Sequence, residues 1–116
     1  MVKAAPSQKQ DSPAVQRVLT HLSSYLRHFY GQRLAQLILF GSHARGEATS
    51  ESDIDVLVVL NGAVNPSAEI KRTSEFIAQL CLQEDVVISR IFTSQEKYAA
   101  EDSPFFLSVR KEGVTL

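Results

Sequence analysis

The chain has 116 residues, room for one domain, and its 44% hydrophobic content is enough to bury a core without disulfide or metal staples. Formal net charge is −1, from 12 Lys plus Arg against 13 Asp plus Glu, so the basic excess usual in nucleic-acid binders is missing and no direct nucleic-acid partner is expected. The single cysteine, Cys81, excludes an internal disulfide, and without a signal-like segment or a long apolar run the chain is expected to be cytoplasmic, with no membrane partner.

Residues 1–12 read as a polar, pattern-free, disordered tail, followed by one domain over 13–116. Ser12-Pro13 is a helix start, Ser as the cap and Pro at the first helical position. Val15, Val18, Leu19, Leu22, Leu26 and Phe29 then follow helical spacing as far as Gly31. Leu34 to Phe40 is an apolar strand. Gly41 to Ser52 is a loop of small and polar residues, with a short helix expected near Ser42. Asp53 to Leu60 is a second strand, and Asn61-Gly62 and Asn65-Pro66 mark a loop. Ser67 to Leu82 is a helix with Ile70, Phe76, Ile77, Leu80 and Cys81 near one face. Asp85 to Phe92 is a third strand. Thr93, with Glu96 three residues on, begins another helix. Ser103-Pro104 begins the last, with Phe105, Phe106, Leu107 and Val109 expected inward and Gly113 as the stop. The link between the first two strands is too short for a full crossover helix, so the sheet is expected to be antiparallel or mixed. The fold class is α/β in the loose, α+β sense, with helices mainly on one sheet face.

The chemistry concentrates in Asp53-Ile54-Asp55. Side chains alternate along a strand, so both carboxylates leave one face and Ile54 enters the core from the other. Paired acids repel and raise each other's pKa unless a cation lies between them. A hard divalent ion, Mg²⁺ where phosphates complete the shell, answers that need. Taken alone, the pattern also fits an Asp53 that caps the strand and an Asp55 at a solvated edge. The turn twelve residues before Asp53 adds weight. Gly41 lets backbone amides approach a phosphate, and Ser42 adds a hydroxyl.

Other polar residues have plainer readings. Arg45 either contacts a triphosphate or pairs with Glu47. His43, His21 and His28 are expected at the surface, because none has a partner at metal-ligand spacing. Lys71-Arg72 reads as a solvated helix patch, and Cys81 as a small buried hydrophobe with no neighbour to activate it.

Gly41-Ser42, ten intervening residues, then Asp53-x-Asp55 resembles the signature of the DNA polymerase beta nucleotidyltransferase superfamily. The fuller run LILFGSHARGEATSESDIDVLVVL is similar to the minimal nucleotidyltransferase branch, short domains often encoded beside a helical HEPN-domain protein. The resemblance implies that Gly41 and Ser42, with Arg45 as a further candidate, bind the phosphates of a nucleoside triphosphate. It implies that Asp53 and Asp55 hold two Mg²⁺ ions. Its third metal-binding and catalytic carboxylate is matched best by Asp85, which stands at a strand edge beside Glu84 where the superfamily has a clearer pattern. If Asp85 faces the site, Val87 and Ser89 share its face.

The implied activity is transfer of AMP from ATP to a hydroxyl of a HEPN-type toxin, this chain being the antitoxin. A chain this size leaves no acceptor domain, which favours a protein acceptor, an open groove and a hetero- or homo-oligomer. A nucleotide-binding or docking module without turnover is the alternative, and an aminoglycoside-type transferase a more distant one.

Overall fold

The computed structural model describes residues 12–116. The expected N-terminal tail falls outside the described residues except for Ser12. Helix α1 runs Pro13–Tyr30, its start fixed by Ser12, whose hydroxyl accepts from Val15 N at 3.2 Å. A single 3-10 turn, Gly31–Arg33, leads into strand β1, Leu34–Phe40. Helix α2, Ser42–Arg45, begins at the position expected of the short helix. Strand β2 is Ile54–Leu60, helix α3 Pro66–Glu84 and strand β3 Ile88–Ser94. Helices α4, Gln95–Ala100, and α5, Pro104–Glu112, and a two-residue strand β4, Val114–Thr115, complete the chain.

The sheet is mixed, in the order β3-β2-β1-β4. β1 is antiparallel to β2 and to β4, as the short β1–β2 link requires, and β2 is parallel to β3 across the α3 crossover. The two long helices α1 and α3 cover one face. Val18, Leu22 and Leu26 meet Leu37, Leu39, Val56, Val58 and Leu60 there in the main core. Short α4 and α5 cover part of the other face, where Tyr98, Phe106 and Val109 pack on Ile38, Leu57 and Val59.

Some boundaries move, for local reasons. Asn65-Pro66 is the cap and first turn of α3 rather than loop: Asn65 Oδ1 accepts from Ala68 N at 3.2 Å. Ser94, not Thr93, caps α4, accepting from Lys97 N at 3.1 Å, and Thr93 remains in β3. On α5, Phe106 and Val109 are buried, three apart on one helical face, while Phe105 and Leu107 flank that face and are exposed. Phe29 is likewise exposed. Tyr30, one residue on, takes the buried place at the end of α1.

The main core carries a polar inlay that hydrophobic periodicity does not reveal. Glu69 is 3% exposed. It accepts from the Tyr30 hydroxyl at 2.7 Å and from Arg33 Nη1 at 3.2 Å, with Arg72 at 3.6 Å. This ties the end of α1 to the start of α3. Arg90 of β3 donates to Thr73 Oγ1 and to the Ile70 carbonyl, each at 2.8 Å, so a strand cation satisfies the α3 backbone.

Candidate functional site

Asp55 is the second residue of β2 and Asp53, expected to open the strand, lies just before it, at the end of the sheet where β1 leaves and β3 enters. Ile54 and Val56 turn into the main core, so Asp55 leaves the opposite face, within reach of the charge of Asp53. Register sets Phe40 of β1 and Ser89 of β3 on either side of Asp55.

Gly41 lies against Asp55. Its backbone, φ 76° and ψ −158°, is a conformation for which glycine is suited. A Cβ built there would fall 2.4 Å from Asp55 Oδ2, so only the bare glycine backbone leaves room for the carboxylate. Ser42 opens α2 directly after it, and the first-turn amides of a helix have no partner within the helix itself. The turn and the acid pair thus form one site, although they are separated in sequence.

The Asp55 carboxyl is pushed up from its ordinary value, first by burial and then by the charge of Asp53; His43 and Arg45 pull the other way. This pair of hard oxygen donors calls for positive charge. Among the described residues, no group of three or more His, Cys, Asp or Glu is placed to hold a metal ion. A two-carboxylate site still suits Mg²⁺, which commonly takes one or two protein carboxylates and completes its shell with water and substrate phosphates.

Asp85 does not join this pair. It terminates α3 in the left-handed conformation, φ 54° and ψ 51°, with its N–H donated to the Cys81 carbonyl. β3 begins only at Ile88, so the strand register that would align Asp85 with Val87 and Ser89 has not yet started. Asp85 instead borders a pocket of about 330 Å³ with Glu84, His43, Ser52, Ile54 and Val15. Ser89, not an acid, lies beside Asp55 on β3.

His43, expected in solvent, is buried, 4% exposed. Its Nε2 lies 3.4 Å from the Ser52 carbonyl, linking α2 to the loop before β2. The loop has bonds of its own: Thr49 N donates to Ser52 Oγ at 2.9 Å, and Ser52 N to the Thr49 carbonyl at 3.1 Å. A helix of four residues tucked onto the sheet turns its second residue inward, which residue type alone does not show. Arg45 pairs with acids of the loop and of α5. Its Nε donates to Glu47 Oε1 at 2.9 Å, and Glu112 Oε2 lies 3.7 Å from its Nη1. His21, His28, Lys71 and Arg72 are exposed, and Cys81 is half-buried against the main core.

The chain is similar to known proteins in sequence and in fold. The chain is 31% identical over 102 residues to the Methanocaldococcus jannaschii protein named "Putative protein adenylyltransferase MJ0604", covering 87% of this chain and 96% of that protein. It is 36% identical over 59 residues to "Putative protein adenylyltransferase MJ0141" of the same organism, 51% of this chain and 59% of that one. In fold it matches the crystal structure of "a putative nucleotidyltransferase from Sulfolobus solfataricus", with a TM-score of 0.62 at 19% identity over 94% of this chain and 90% of that one. It also matches a chain from the crystal structure of a mutant of "the toxin-antitoxin MntA-HpeT", with a TM-score of 0.56 at 21% identity over 84% of this chain and 70% of that one. Residues 19–108 match the family described as "Nucleotidyltransferase domain", a span that takes in the Gly41 turn, both acids and the whole β2–α3–β3 crossover, and the chain belongs to that nucleotidyltransferase family.

Proposed function

We propose that this nucleotidyltransferase moves AMP from ATP to a hydroxyl of a partner protein, in a Mg²⁺-dependent reaction, and that the partner is a HEPN-type toxin which the transfer silences. The observation that carries the reading is the seating of Gly41 against Asp55: a side-chain-free turn meets a carboxylate pair, as phosphate binding beside a metal requires. The name of the Methanocaldococcus relative supports a protein acceptor, and the toxin–antitoxin neighbour supports the biological setting.

Asp53 and Asp55 would hold the metal, which when bound supplies charge neutralisation for the transferring phosphoryl group. The residues of this chain do the rest. Gly41 and Ser42 hold the distal phosphates by backbone amides and one hydroxyl. Ile54, fixed in the core between the two acids, keeps their strand from turning. Arg45, at the end of α2, remains within the electrostatic reach of Asp55 and holds the loop through Glu47.

The test is nucleotide binding and label transfer. Asp53→Asn with Asp55→Asn should abolish Mg²⁺-dependent ATP binding while the fold holds, because removing like charges relieves repulsion. ATP and Mg²⁺ binding equal to wild type would sink the site assignment. Ser42→Ala should weaken nucleotide binding by about 1 kcal/mol. Gly41→Val should do far more damage, because its side chain would displace the Asp55 carboxylate.

A second reading, a nucleotide-binding module without turnover, is favoured by one observation: Ser89 holds the place beside Asp55, and Asp85 lies on another pocket wall. Transfer of label from α-³²P-ATP to a co-purified partner decides between them. If Asp85 is the third catalytic acid and metal ligand after all, Asp85→Asn should cut turnover by about 10²–10⁴-fold and leave ATP binding nearly intact. Label transfer untouched by that change removes Asp85 from the mechanism.

A further inference from the structure

The helical cover on the acid-bearing face stops short of the acids. Three rows cross the sheet there. The row Gln36–Val59–Thr93 lies under α4, with Val59 0% and Thr93 6% exposed. In the next row, Ile38–Leu57–Ile91, the first two are fully buried but Ile91 is 43% exposed. In the third, Phe40–Asp55–Ser89, Ser89 is exposed, and Val87, in the segment just before β3 begins, is 58% exposed. The β3 side of the acid pair is therefore an open shelf with two apolar residues on either side of a small polar one.

β3 is also an edge strand, and among the described residues no further strand pairs with it. Ile54 N donates to the Val87 carbonyl at 2.9 Å. In a parallel ladder of that phase, the odd-numbered residues of β3 bond β2, and the amides and carbonyls of Ile88, Arg90 and Phe92 point outward. Such an edge is a ready template for one more strand.

We propose that this shelf and edge bind the acceptor: an extended segment of the partner protein adds to β3 as a strand, seats apolar side chains on Val87 and Ile91, and presents its hydroxyl across Ser89. The proposal rests on the transferase reading above and adds the direction of approach. With the distal phosphates at Gly41-Ser42 on the β1 side and the acids on β2, an in-line attack has to come from the β3 side. The acceptor oxygen forms a bond to the α-phosphorus. The bond from that phosphorus to the bridging oxygen breaks, pyrophosphate leaves with the electron pair, and the hydroxyl proton passes to water at the open edge. Charge names the partner's chemistry further. With Asp53 and Asp55 committed to the metal and Glu84 paired with Arg17 at 3.1 Å, the exposed Asp85 is the acid left at the entry to β3, so the segment should carry a basic residue to meet it.

The probes are synthetic peptides with a central serine or tyrosine, valines at alternate positions and terminal lysines, studied with the intact chain, Mg²⁺ and a non-hydrolysable ATP analogue. Binding should protect the outward amides of Ile88, Arg90 and Phe92 from hydrogen exchange. The double change Val87→Lys, Ile91→Lys should weaken peptide binding by roughly tenfold or more, while affinity for the ATP analogue stays at the wild-type value. Peptide binding that leaves those three amides exchanging freely overturns the proposal, as does the absence of peptide binding to a chain that binds the analogue. Equal peptide affinity in the double variant also overturns it. Failure of wild type to bind the analogue with Mg²⁺ would instead strike the transferase reading on which it rests.

Discussion

The two faces of the sheet are built to different standards. Under α1 and α3 the face carries the main core, and the buried polar groups that cross it are matched: Glu69 with Tyr30 and Arg33, Arg90 with Thr73 and the α3 backbone. Under α4 and α5 the face is closed for part of its length, and its buried hydroxyls, Tyr98 Oη and Thr93 Oγ1, have no hydrogen-bond partner. The face under α1 and α3 holds the fold together. The half-open face gives up packing at the end that carries Asp53 and Asp55, while its two unmatched hydroxyls lie at the covered end, on and under α4. Arg110 makes up part of the shortfall, stacking 5.1 Å above the Tyr98 ring and donating to the Tyr98 carbonyl.

If this contrast is right, stability should respond unequally to the two faces. Leu26→Ala, at a fully buried position of α1, should cost about 2–5 kcal/mol by chemical denaturation. Ile91→Ser on the open shelf should cost about 1 kcal/mol or less, since much of that side chain is already in water. Equal costs would dissolve the distinction.

The main layer was legible in the sequence, because apolar periodicity marks the residues that build it, but the sequence placed the helices mainly on one face and did not show α4 and α5 covering part of the other. Val18, Leu22 and Leu26 announce a helix face, and the unbroken run of β2 announces a strand buried on both sides. The acid pair was legible for the same reason: Asp53 and Asp55 interrupt a strand that is otherwise apolar. Polar burial was not. Nothing local distinguishes Glu69 from the exposed Glu75 of α3, because its two hydrogen-bond partners lie 39 and 36 residues away. Asp85 and His43 escaped for a related reason. Their positions depend on where α3 ends and where α2 turns inward, and element boundaries are set by caps and packing as much as by pattern.

The matched inlay can be tested by pH. Burial alone would push the Glu69 carboxyl up, but the Tyr30 hydroxyl and the Arg33 and Arg72 guanidinium groups outweigh it and hold it below the usual 4.5. A carboxylate with a depressed folded-state pKa stabilises the fold above its unfolded value and loses that contribution as pH falls. Glu69→Gln should therefore cost about 1–3 kcal/mol at neutral pH. The gap to wild type should narrow as the pH drops below 4.5 toward the depressed value. A gap independent of pH would mean that shape, not charge, is what Glu69 supplies.

The smallest effect belongs to the half-open face. Tyr98→Phe removes a buried hydroxyl that has no partner, so stability should be unchanged or rise by up to about 1 kcal/mol. A clear loss in a thermal or denaturant melt would show that this hydroxyl is matched in solution and that the two faces are less different than they look.

β2 has a consequence for motion. From Val56 to Leu60 every side chain is 0% exposed, and the strand is flanked by β1 and β3. Local opening is rarest in such a segment and commonest at edges and loops, so its amides should exchange only through near-global unfolding. Asp55 hangs from the second residue of this strand, while Asp53, the loop before it and the free edge of β3 belong to the parts of the molecule that open more readily. Asp55 thus keeps its place on the timescale of the whole fold's lifetime, and the groups around it, Asp53 among them, are left to fluctuate on a much shorter one.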